Sequence, residues 1–167
     1  MKLRMGGPKA LRTPQHMNGV PGLTSFELQK VQESSTILER CVTCLRVTYQ
    51  SGGHAHLEQP ASAMSWDEHF VQQFLLECQC SCINLAACHY GENWLKSWMF
   101  ASTYSELEVM ACVCTHPPSQ HVQIAGQLDA SGQYLSRLTA TYPVPLCSKF
   151  AELIQPLLSK GNRNLSL

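Results

Sequence analysis

Three observations in this 167-residue sequence predict an α/β domain with a largely parallel sheet. Apolar residues recur at helical spacing near both ends of the chain and again in the middle. Short apolar runs of strand length fall between those segments. The resulting order is helix, strand, helix, strand, strand, helix. Apolar residues make up 44% of the chain and charged residues 14%, which is a globular composition and enough for one real core.

Residues 1–23 contain GGPKALRTP and NGVPG, turn and loop signals with little periodicity. They read as a flexible basic arm, with Lys2, Arg4, Lys9 and Arg12 and no acid before Glu27. Such an arm either touches phosphate or is a solvated tail. The domain proper spans 24–160, and 161–167 reads as a disordered tail. Thr24 and Glu27 form a capping box that starts a helix. Leu28, Val31, Leu38, Cys41, Leu45 and Thr48 continue it at helical spacing, a spacing interrupted near Ser34 and Ser35. Ser51-Gly52-Gly53 ends it, glycine supplying a left-handed cap.

His54 to Gln59 reads as a short strand. SWDE at 65–68 predicts a second capping box, ahead of an apolar face of Trp66, Phe70, Phe74 and Cys78. Residues 80–88 predict a buried strand, bounded by the Tyr90-Gly91 turn, and 94–102 another. A short helix over 104–112 and a strand over 121–126 follow. The last helix, 147–158, is disrupted at Pro156.

Formal net charge is zero, which argues against a surface that holds nucleic acid by bulk charge. Neither a signal-peptide h-region nor a membrane-length apolar run is present. Nine cysteines, an odd number, suit reduced intracellular thiols better than a secreted disulfide framework. These features predict an intracellular protein, nuclear or cytoplasmic, without membrane contact.

Two constellations carry chemistry. Glu58 stands where a strand gives way to Pro60. At the carboxyl end of a strand in an open α/β sheet it would meet a ligand; alternatively it is an exposed strand-end carboxylate. Cys112, Cys114, His116 and His121 form a C-x-C…H-x4-H set that could hold zinc. The C-x-C spacing is less usual than C-x2-C. Cys80, Cys82 and Cys88 have even spacing, so on a strand they would share a face and pack as small apolar residues. No nucleophile elbow or glycine-rich phosphate loop occurs.

HLEQP, followed by NLAACHYGENWLKSWMF, resembles the second half of a DNA cytosine-5 methyltransferase domain. LTATYPVPLCSKFAELI is similar, more distantly, to that family's closing segment. Nearly the whole chain also resembles the C-terminal part of methyltransferase-like proteins from mobile-element-rich protist genomes. The resemblance implies a partial Rossmann-like sheet with flanking helices and its first strands missing. It implies that Glu58 orients a flipped cytosine and that Lys96 stands where the family has an arginine, contacting base or backbone. S-adenosylmethionine would be the cofactor and DNA the partner. The glycine-rich cofactor loop and the Pro-Cys nucleophile loop are absent, Gln59 and Pro60 replace Asn and Val, and Trp94 replaces a Gln. The expectation is a truncated or degenerate domain, inactive unless a missing N-terminal half completes it, and prone to self-association through an unpaired sheet edge. The alternative is a small zinc-stabilised or partner-binding module without enzymatic activity.

Overall fold

The computed structural model describes residues 9–161 except Ala125. Lys2, Arg4 and the predicted tail beyond 161 lie outside the described residues. The chain is mixed α/β, and its residues gather into two compact units. The first takes Met1–Cys82 and Met99–Tyr104, and the second Ile83–Trp98 and Ser105–Leu167.

The first unit is built on α1, Ser25–Gln50. The predicted capping box forms: Glu27 N–H donates to Thr24 Oγ1 at 3.2 Å, and Thr24 N–H donates to Glu27 Oε2 at 2.8 Å. Lys9 adds an ion pair to the same carboxylate at 2.9 Å. Together, the Thr24 backbone donor and Lys9 hold Glu27 down at about 2, against an ordinary 4.5. The helix runs unbroken through Ser34 and Ser35, where the apolar spacing lapses. Arg12 accounts for this locally, because its guanidinium donates to both hydroxyls (3.1 and 2.8 Å) and also reaches the Val31 carbonyl. Gly52, at φ 81°, is the left-handed residue after the Ser51 cap, as the sequence predicts.

Strand β1 is His56–Pro60, and α2 is His69–Glu77. Val42 from α1, Ala55, Leu57, Trp66, Val71, Phe74, Cys78 and Ala101 close one buried cluster, with Leu38, Leu45, Tyr49 and Phe70 packed against it. The second capping box does not form. Met64–Asp67 is a 3-10 turn, and Glu68 becomes the N-cap of α2 without a side-chain cap bond. Ser65 spends its hydroxyl on Gln59, and Glu68 pairs with Arg12 at 3.2 Å. Both box residues are therefore committed elsewhere.

Strands β2 (Ser81–Ala86) and β3 (Ser97–Ser102) complete a three-stranded sheet ordered β1-β3-β2. The sheet is antiparallel, where a largely parallel one was expected. A parallel pair needs a crossover of a dozen or more residues. Only ten residues separate β2 from β3, and they are spent on a 3-10 turn at Ala87–Tyr90 and an irregular return. β3 lies between β1 and β2, which are not neighbours.

In the second unit, the short helix expected over 104–112 is a 3-10 helix, Ser105–Met110. The strand expected over 121–126 is reduced to one bridge, Trp94 to Val122. α3 is Val144–Gly161 and continues past Pro156. Ile83, Leu85, Tyr90, Trp98, Leu107, Met110 and Leu146 are buried in this unit. Among the described residues no helix is long and apolar enough to cross a membrane.

Candidate metal centre

Cys88, Cys114, His116 and His121 come together within the second unit. One ligand atom from each lies within 4.8 Å of all the others. Cys114 Sγ is 3.1 Å from His121 Nε2 and 3.8 Å from His116 Nδ1. The two imidazoles meet edge to face, with centroids 5.6 Å apart. A tetrahedral zinc, with Zn–S about 2.3 Å and Zn–N about 2.0–2.1 Å, puts its ligand atoms roughly 3.3–3.8 Å from one another.

Local backbone chemistry sets each ligand in place. Cys88 sits in the 3-10 turn Ala87–Tyr90, which Gly91 closes at φ 91°. A residue with a Cβ is strained there, so the glycine allows the chain to turn away directly behind the ligand. Tyr90 hydroxyl donates to the Met110 carbonyl at 3.0 Å and holds the turn against the opposing segment. The other three ligands come from one loop. After Cys114 and His116, Pro117 caps a 3-10 turn that Pro118 starts, and the N–H groups of Gln120 and His121 donate to the carbonyls of Pro117 and Pro118 at 3.0 and 3.1 Å. The turn folds His121 back onto Cys114.

The two contributing segments are joined on both sides of the site. Before it, Cys112 N–H donates to the Asn84 carbonyl at 2.9 Å; after it, Val122 N–H donates to the Asn93 carbonyl at 2.7 Å. Burial, and then a hydrogen bond with Cys114, push the Cys88 thiol up.

Three of the four residues singled out from spacing are in the cluster, and Cys112 is not among them. Its sulfur accepts from Ala86 N–H at 3.3 Å. Two residues further along both segments, Cys114 meets Cys88, which sequence reasoning had placed with Cys80 and Cys82 on a strand. That strand ends at Ala86, so Cys88 leaves its periodicity and turns to the opposite loop. The signal for it was the Tyr90-Gly91 turn, which was legible. The pairing of 84–93 with 112–122 joins residues distant in sequence and was not.

Glu58 lies on β1, half-buried, on the opposite side of the strand from core residue Leu57. A shallow cleft along α1, lined by Gln29, Gln32, Glu33, Thr36, Ile37 and Arg40, does not include it. Lys96 belongs to the second unit and donates to the carbonyl of buried Thr139 at 2.6 Å, its ammonium 5.1 Å from the Trp98 ring centre. Cys78 is buried in the first-unit core, and burial pushes the Cys80 thiol to about 12, with Cys78 and Cys82 adding to the shift. No family model, curated protein or solved structure matches the chain.

Proposed function

We propose that this chain is a zinc-stabilised module without enzymatic activity, whose second unit is held closed by one metal ion on Cys88, Cys114, His116 and His121. The convergence of four soft or imidazole donors from two chain segments carries this reading. The need for a staple supports it. Among the described residues of 111–143, regular structure is limited to two 3-10 turns and isolated bridges. Val113, Leu128 and Tyr134 there are half or more exposed. A segment that buries so little apolar surface gains little from folding, and a structural metal offsets that deficit. With four protein ligands, the coordination sphere is full. That suits a structural site, whereas a catalytic zinc keeps a position open for water or substrate.

Cobalt(II) substitution tests the reading. A tetrahedral two-sulfur, two-nitrogen site gives intense visible bands and a sulfur-to-metal charge-transfer band, both abolished by added zinc. A weak octahedral spectrum identical to that of aqueous cobalt contradicts it. The motif resemblance alone suggests a second reading, a split cytosine-5 methyltransferase in which Glu58 orients the base; an antiparallel sheet in which β1 and β2 are not neighbours lends it no support. It has its own test: S-adenosylmethionine binding regained when an N-terminal methyltransferase half is supplied, with no binding counting against it.

A further inference from the structure

The two sulfurs of this centre stand close enough to each other to do more than hold a metal. We infer that Cys88 and Cys114 form a peroxide-sensitive thiol switch, in which oxidation to a disulfide ejects the zinc while keeping the two segments joined. This rests on the metal-centre reading. Before any metal is added, the Cys88 and Cys114 sulfurs are within 4.8 Å of each other. They are only half-buried, and the adjacent ligand His116 is exposed, so a small oxidant reaches the site from solvent.

The surrounding hydrogen bonds decide the consequence. Cys112 N–H to Asn84 and Val122 N–H to Asn93 join the ligand-bearing segments on either side of the site, so a covalent tie between them keeps their register. A Cys88–Cys114 bond would replace the zinc as the covalent tie at the same point. Only His116 and His121 would remain as ligands, and two imidazoles hold zinc weakly. Cys112 is nearby in sequence but its sulfur is engaged with the Ala86 backbone, which leaves Cys114 as the partner for Cys88.

The chemistry balances with hydrogen peroxide as oxidant. One thiolate attacks a peroxide oxygen, giving a sulfenic acid and hydroxide, and the hydroxide takes a proton from solvent. The second thiolate attacks the sulfenic sulfur, forming the S–S bond and expelling a second hydroxide, which is protonated likewise. Two electrons pass from the sulfur pair to one peroxide, yielding two waters. Zinc leaves as Zn²⁺.

The experiment uses the full chain as purified, with zinc content measured first. Hydrogen peroxide is then titrated in. Zinc release is followed with a chromogenic chelator, and the cysteines are mapped by differential alkylation and mass spectrometry. The expected result is release of the bound zinc together with a Cys88–Cys114 cross-linked peptide, both reversed by dithiothreitol and added zinc. The exposed thiols of Cys41, Cys44, Cys82 and Cys147 provide an internal comparison. A quadruple variant, C41S/C44S/C82S/C147S, is expected to release zinc at the same peroxide concentration. Zinc retained under peroxide, or released without that cross-link, overturns the switch and leaves the metal centre standing. A chain purified without zinc and unable to take it up overturns both.

Discussion

Replacing Cys88 with serine separates the ligand set seen in the structure from the one that spacing alone suggests. Structural zinc in small modules is worth roughly 10–16 kcal/mol, or about 2.5–4 kcal/mol per ligand if shared among four. At about 1.4 kcal/mol per tenfold, Cys88→Ser weakens zinc binding by about 10²- to 10³-fold. Cys112→Ser is the paired control. Its sulfur accepts one hydrogen bond from Ala86 N–H at 3.3 Å, and a serine hydroxyl is also an acceptor. The change is therefore limited to about 1 kcal/mol, and zinc affinity stays within about tenfold of the parent. Competition against a chromophoric chelator at fixed pH reads both constants. Loss of zinc in Cys112→Ser with retention in Cys88→Ser would refute the assignment, and with it the register of 84–93 on 112–122.

Three further perturbations probe the rest of the molecule. Phe74 is fully buried in the first-unit cluster, so Phe74→Ala costs about 3–5 kcal/mol in urea unfolding; a loss below about 1 kcal/mol would show that α2 does not pack there. Lys96→Met strips a charge-assisted donor from the carbonyl of buried Thr139 and costs about 1.5–3 kcal/mol, read from Trp fluorescence during denaturation. An unchanged stability would return Lys96 to the pool of surface cations available for a ligand. Glu27 is held at about 2 when folded, against an ordinary 4.5, so it contributes stability that is fully present above about 4.5 and lost as pH falls through about 2. Glu27→Gln should therefore be less stable than the parent at neutral pH, with the gap closing through that window; a gap independent of pH would place the effect outside the carboxylate charge.

What was legible in the sequence follows the range of the interactions. The capping box at Thr24 and Glu27 and the left-handed Gly52 depend on neighbours a few residues away, and both are present. Ser65 and Glu68 carry the same local pattern, yet contacts with Gln59 and Arg12 prevail over it. Strand direction was misread because a helix-and-strand order does not count the residues available for a crossover, and the β2–β3 connection is too short for one. In the metal cluster, the C-x-H-x4-H run from Cys114 to His121 is local and was visible. Cys88 comes from 26 residues earlier and is delivered by a turn that breaks the strand alternation suggested by Cys80 and Cys82.

Elemental analysis of the purified chain, before and after chelation, bears most directly on the proposed metal centre. It should find about one zinc per chain, and stripping that metal should abolish the folded signal of the second unit until zinc is restored. A metal-free chain whose unfolding curve is unchanged by zinc or by chelator would contradict it.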